Sequence, residues 1–344
     1  MKRIYLCTLM LNMLLYALSP TIGHAKVVIK LGTIAPEGSA WHDTLLRLSQ
    51  QWRHISDGEL QVIIYAGGVL GDETEMVRKL QRRGLDAVAI SGAGLPQIDS
   101  SIDCLNIPML FDSYEALDYV RHAITADLQE HLNSKKIKVL NWAEAGWVYF
   151  FAKEPVRTPD DLRKLRLWTA AGYPETERLF KQFGFRVVPL ASTDMLTALQ
   201  TGLIEAIDVP PLFALLDRSY QAAGYMTDLK WAPLNAATVI HLDAWRRIPE
   251  KYRESLVKAV STIGAGLRNR IRRAEEDAIK EMQARGLQIV AVDRATTDLW
   301  RSDVNKAYPK LQCAKEYPAL FAKIMQVHAQ FQTQTQVQRS ATHK

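Results

Sequence analysis

Residues 186–211 read RVVPLASTDMLTALQTGLIEAIDVPP, and this stretch decides the fold class. Arg186–Leu190 is a short β-favouring run, Ser192 opens and caps a helix reaching Gln200, and Ile204–Val209 is a second strand. Pro210-Pro211 ends that strand, because proline supplies no backbone donor to a ladder. Strand, helix and strand follow one another too closely for separate domains, and this alternation predicts an α/β lobe with a mainly parallel sheet.

The same alternation continues on both sides. Towards the N-terminus, Pro174–Phe183 reads as a helix, Leu165–Thr169 as a strand, Pro159–Arg163 as a short capped helix, and Val148–Ala152 and Lys138–Trp142 as strands. Further back, Val27–Leu31 is a β-favouring run, followed by the turn-rich segment 33–38 and an amphipathic helix from Ser39 to about Ile55. Leu60–Tyr65 repeats the strand signal, Gly67, Gly68 and Gly71 break it, Glu73–Arg83 has helical spacing, and Ala87–Ile90 returns to strand. Towards the C-terminus, Pro249–Arg285 is helical almost without interruption, longer than one small lobe needs, so it is expected to brace two. The tail after Val327 is polar and lacks apolar spacing, and 331–344 is expected to be disordered.

The first 25 residues read as a removable export signal. Lys2 and Arg3 precede the apolar run Ile4–Leu18, and the small-residue site Gly23-His24-Ala25 follows. That run falls short of the ~20 residues a membrane-crossing helix needs. Removing the leader takes the net charge from +6 to +4 and leaves Cys104 and Cys313 of the three cysteines. In an oxidising compartment these two are free to pair, but their spacing alone leaves the question open. About 320 residues exceed what one compact core usually serves, so two lobes are expected. Positive charge is spread along the chain, and its richest stretch, Arg268–Arg273, runs into Glu275, Glu276 and Asp277, as on a solvated helix face and unlike a nucleic-acid patch.

Catalytic and cofactor chemistry lacks a signature. The eight histidines never fall in a zinc-type pair, and no Cys-x-x-Cys, His-Glu-x-x-His, Gly-x-Ser-x-Gly or phosphate-binding loop occurs. Gly92-Ala93-Gly94 lacks the third glycine of a dinucleotide fingerprint. No cofactor or metal is expected, and a periplasmic enzyme on a related scaffold and a ligand-sensing protein remain the alternatives to a binding protein.

Ala198-Leu199-Gln200-Thr201-Gly202-Leu203-Ile204-Glu205-Ala206, preceded by Leu165-Arg166-Leu167-Trp168 and followed by Asp208-Val209-Pro210, resembles the solute receptors of TRAP transporters, the DctP-like family. Leu31-Gly32-Thr33-Ile34-Ala35-Pro36, Gly67-Gly68-x-Leu70-Gly71 and Pro155–Leu162 extend the resemblance over nearly the whole mature chain. It implies a two-lobed periplasmic-binding-protein fold, type II-like, with crossing hinge strands and a long bracing helix. The implied division is lobe I over 26–148 and 236–265, lobe II over 149–235 and 286–330, and the long helix 249–285 across both. It also implies a periplasmic, monomeric receptor that is not itself membrane-embedded, and that passes a small organic ligand to TRAP membrane subunits.

Family members typically carry an arginine where Trp168 stands, and many carry another at Val148 and an asparagine at Val209. Losing all three makes a carboxylate ligand costly to bury, by several kcal/mol. A less polar ligand is therefore expected, packed on Trp168 with help from Trp147, Trp142 or Trp231, since an indole offers a rigid apolar face and one donor. Trp142 and Trp231 fit a lobe core equally well. Arg166 shares a strand face with Trp168, although family members carry a surface lysine or arginine there. Glu37, Trp41, Glu73, Glu144, Asp208 and Val209 complete the candidate lining, and a carboxylate facing the cleft at Glu144 or Asp208 would suit an amine.

Overall fold

A computed structural model of the protein describes residues 26–342, and the expected leader, 1–25, lies outside them. The chain opens with β1 (Val27–Thr33), α1 (Ala40–Ile55), β2 (Leu60–Tyr65), α2 (Glu73–Gln81) and β3 (Ala87–Ser91), then passes through 3-10 turns to α3 (Tyr114–Ser134). β4 (Ile137–Ala152) leads through α4 (Pro159–Lys164) to β5 (Arg166–Ala170), α5 (Pro174–Gln182), β6 (Arg186–Leu190), α6 (Met195–Thr201) and β7 (Ala206–Val209). After α7 (Pro211–Leu216), α8 (Ser219–Ala222) and β8 (Tyr225–Thr227), β9 (Ala232–His241) returns across the molecule. The remainder is α9 (Leu242–Arg247), α10 (Glu250–Ala284), β10 (Gln288–Val290), α11 (Arg294–Ala307), α12 (Gln312–Glu316) and α13 (Pro318–Thr342).

Local chemistry starts several of these helices where the sequence places them, but Ser192 caps nothing: 192–194 form a 3-10 turn and α6 begins at Met195 without a side-chain cap. Ser39 Oγ accepts from His42 N at 3.2 Å, Asp72 caps α2 through Glu75 N, and Thr158 and Asp161 form a reciprocal capping box on α4. The strands order as β2-β1-β3-β9-β4-β7-β5-β6, with β8 also on β4 and β10 on β8. β1 is parallel to β2 and β3, and β5 is parallel to β6 and β7, so each flank is a βαβ sheet. The antiparallel pair β4 and β9 joins the flanks, giving the expected α/β architecture with crossing strands.

The two strands expected over 138–142 and 148–152 are one 16-residue strand, β4. What separates them in the sequence is a bulge in the pairing with β9 between Glu144 and Gly146. Gly146 sits there at φ +113°, a conformation that side chains with a Cβ disfavour. A Cβ on Gly146 would lie 2.8 Å from Glu275 Oε2 on α10.

The 35 residues of α10 span about 50 Å at 1.5 Å each. Its buried stripe runs Leu256, Val260, Gly264, Leu267, Ile271, Glu275, Ala278 and Met282. Leu256 and Val260 join the core of the β1–β3 flank with Trp52 and Trp245, whereas Met282 joins the core that holds Trp147, Ile207 and Val209. One helix therefore packs into both cores. Gly264 lets it approach β4 closely, since a Cβ there would overlap the Asn141 side chain.

Cys104 and Cys313 form a disulfide, resolving the pairing that spacing left open. The tail expected to be disordered is instead helical, α13 running to Thr342. It is packed along α3 through Leu320 and Ile324 in the same core as Leu117, Val120 and Leu128, and by an ion pair from Lys323 to Asp127 at 2.6 Å. Tertiary burial at the base of the helix thus outweighs the weak apolar patterning beyond Val327.

Gly146→Ala should cost about 2–3 kcal/mol, from backbone strain plus displacement of Glu275. Urea unfolding of wild type and variant measures this, and a loss under ~0.5 kcal/mol would show that the bulge tolerates a side chain.

Candidate functional site

A cavity of about 90 Å³ lies where the end of β1, the start of α1, β3, the crossing strands and α10 converge. Small residues make the room: Ala89 on β3, Ala143 and Ala145 on β4, Ala236 and Ala237 on β9, and Gly264 on α10. Trp41 from α1 and Phe213 from α7 meet across it, ring centroids 6.1 Å apart and planes tilted by 46°. Phe213 reaches the cavity from the helix after β7, so both sheet flanks contribute wall. Val260, Ile263 and Leu267 extend the apolar lining, and Thr33, Thr44, Ser91, Asn141 and Thr238 add hydroxyl and amide groups.

Glu73 alone among the lining residues carries a formal charge. It is 3% exposed at the start of α2. Its carboxylate accepts from Ser91 N at 2.8 Å and Ser91 Oγ at 2.9 Å, both neutral donors. Burial pushes its pKa above the usual carboxylate range, against the lowering effect of these bonds. Arg270 does not line the cavity, but donates to Thr44 Oγ1 at 2.7 Å and to Ala40 O. Beside the cavity, Gly172 lies close to Thr74, so the loop after β5 touches the start of α2.

Of the residues singled out from the sequence, Trp41 and Glu73 come together here and the others do not. Trp168 is 7% exposed, donates from Nε1 to Leu190 O at 3.2 Å, and packs with Val209, Met195 and Ile207 in the core. Trp147 is fully buried against Tyr114, and Trp231 sits among Phe150, Phe180, Phe183 and Trp300, so both fill cores. Arg166 is spent on the surface, reaching Glu205 at 3.1 Å and the carbonyls of Gly202 and Leu203. Glu37 is exposed in the turn before α1. Phe213, Thr44, Asn141 and the alanines escaped sequence reasoning; an aromatic just after the strand-ending Pro210-Pro211 was the one available signal.

Glu144 has a different task from the one its position suggested. It is fully buried and bridges Arg121 Nη1 at 3.0 Å and Arg272 Nε at 2.6 Å, while Asp118 binds both arginines. Three elements, α3, β4 and α10, are locked by this network. Three residues along, Glu275 accepts from Tyr114 Oη at 2.6 Å and from the Trp147 amide, freed by the bulge, at 2.9 Å.

Asp208 has no such partners. Its Oδ1 is wholly enclosed without a hydrogen bond, as is Oγ1 of Thr169. The parallel register of Leu167 with Ala206 sets Thr169 beside Asp208, both near the C-terminal ends of their strands. Burial drives the Asp208 pKa well up, and its own backbone N–H is the one compensating group. Val148 lies diagonally across on the same face, two residues from Phe150, which pairs with Asp208.

A two-sheet α/β molecule joined by crossing strands, with a cavity at the crossing, has the architecture of a solute-binding receptor. The chain belongs to the DctP family, bacterial extracellular solute-binding protein family 7, whose profile matches residues 31–315. Among relatives, the 2,3-diketo-L-gulonate-binding periplasmic protein YiaO of Escherichia coli is 21% identical over 82% of this chain and 87% of its own length. The C4-dicarboxylate-binding periplasmic protein DctP of Rhodobacter capsulatus is 21% identical over 78% and 82%. In structure, the TRAP periplasmic solute binding protein of Chromohalobacter salexigens with bound D-glucuronate aligns with TM-score 0.80 at 18% identity, over 88% of this chain and 99% of that one. That of Polaromonas sp. JS666, bound to D-erythronate, aligns with TM-score 0.79 at 23% identity over the same shares. Among the described residues, no helix is long and apolar enough to cross a membrane.

A carboxyl with a folded-state pKa above its unfolded value favours the fold below the unfolded pKa, and that advantage is lost as pH rises through the folded value. Asp208→Asn should therefore raise the melting temperature, with a small gain near pH 4 and a larger one at pH 8. A gain that shrinks with rising pH would mean Asp208 has a cationic partner in solution.

Proposed function

We propose that the protein is a periplasmic, monomeric, non-catalytic receptor that closes on a small organic solute at the cavity between the β4–β9 crossing and α10, and hands it to TRAP membrane subunits. The observation that carries this reading is the cavity's composition: the β1–β3 side, the crossing strands and α10 supply the walls, Phe213 reaches in from the β5–β7 side, and the lining is apolar apart from a few neutral polar groups and one carboxylate. The hinge is assigned to the crossing strands, with lobe I on the β1–β3 side and lobe II on the β5–β7 side. Closure is stabilised only as far as solute contacts differ between open and closed forms, and a cavity walled from both flanks provides such contacts.

The solute is less polar than those named for the relatives. Glucuronate and erythronate are acids, and a buried carboxylate needs a cationic or multiply hydrogen-bonded partner. In this chain Trp168 and Val148 occupy the positions of the family arginines and pack as apolar core. Trp41 and Phe213 take over as principal contacts, giving area and shape where a guanidinium gives charge.

Isothermal titration with a solute recovered from protein purified without refolding tests the assignment. Trp41→Ala should weaken binding by about 1–3 kcal/mol, as for a buried aromatic anchor. Ala89→Leu, which fills the cavity, should abolish binding while the variant stays folded. Undiminished affinity in both variants would place the solute elsewhere.

A further inference from the structure

Resting on the receptor reading above, we infer that the solute is an organic cation, a protonated amine on an apolar body, whose charge is met by the Glu73 carboxylate in the cavity wall. Geometry and composition lead there together. No lysine, arginine or histidine lines the cavity, and its one charged group is an acid held by two neutral donors. A buried carboxylate without a cation is costly, so a site built around one is completed by a ligand that brings the positive charge. The faces of Trp41 and Phe213 strengthen this, because the negative face of an aromatic ring attracts an ammonium group within about 6 Å.

A second observation, on the other flank, has the same sign. Asp208 Oδ1 and Thr169 Oγ1, on neighbouring strands, are enclosed polar atoms without partners, near the strand ends where α/β sheets bind ligands. No basic side chain influences Asp208. Glu144, by contrast, receives two arginines within 3.0 Å. Among the described residues neither Glu73 nor Asp208 has a cationic partner, and Glu73 is the one that lines the cavity. An acidic solute would meet repulsion from Glu73 with no counter-charge, whereas an amine relieves it.

The test is the charge of what the protein holds. Full-length protein secreted into the periplasm of a host grown on complex medium is purified without refolding, and its retained compound is released and identified by mass spectrometry. In parallel, melting temperatures are recorded with protonated alkyl- and arylamines and with carboxylates of matching skeleton. A basic nitrogen in the retained compound, with stabilisation by amines and not by carboxylates, is the expected result. Glu73→Gln should then weaken the retained amine on the order of 30-fold, in line with removing one partner of a buried charge pair, while Glu75→Gln, on the exposed face of the same helix, leaves affinity within about two-fold. Should Glu73→Gln misfold, Asp208→Asn replaces it: a melting temperature equal to or above wild type without ligand, combined with weaker amine binding, separates a solute contact from a structural role. A retained neutral or acidic compound, or stabilisation by carboxylates, overturns the cation while leaving the receptor intact. Retention of nothing, with no response to either set, brings down both.

Discussion

Everything about this molecule rests on how α10 is fastened to β4. The strand is shared by both sheets, so whatever fixes its bulged centre fixes their relation. Two carboxylates do this: Glu144 points from the strand into Arg121 and Arg272, and Glu275 points from the helix onto the Trp147 amide and the Tyr114 hydroxyl. Removing one partner of such a buried network costs about 3–5 kcal/mol, more than most single apolar contacts supply. The burial is tolerated because both Glu144 oxygens meet arginines and Glu275 Oε2 takes two donors, and the bulge at Gly146 is what frees the Trp147 amide to be one of them.

The cavity is a by-product of the same crossing. Where β4 and β9 pass beneath α10, alanines and Gly264 leave space that larger side chains would close. Trp41 and Phe213, from opposite flanks, bound that space. A receptor must discriminate solutes by differences between bound and free states. A lining of indole, phenyl and small side chains with one carboxylate discriminates by shape, desolvation and the sign of that carboxylate.

Sequence periodicity made much of this legible. The run 186–211, the capped starts at Ser39 and Thr158, and the uninterrupted helix after Pro249 are local signals, and local signals survive folding. Sites depend on which side chains meet, and that is non-local. Trp168, Trp147 and Trp231 were attractive as bare aromatics, yet each finds its partners within a core. Glu144 could not be told from a ligand group until α3 and α10 brought arginines to it. The tail's helix was hidden for the same reason, since α3 supplies its support from almost 200 residues upstream. Trp41 and Glu73 were legible because they lie beside turns that the resemblance had already marked.

The bond between Cys104 and Cys313 spans 209 residues of chain. Because synthesis runs from the N-terminus, the earlier thiol exists long before its mate. The segment around Cys104 must then wait, reduced or transiently joined to a catalyst of thiol exchange, until nearly the entire polymer has arrived. Closure of the bond is thereby coupled to completion of the C-terminal region, since Cys104 has no mate until the chain reaches Cys313.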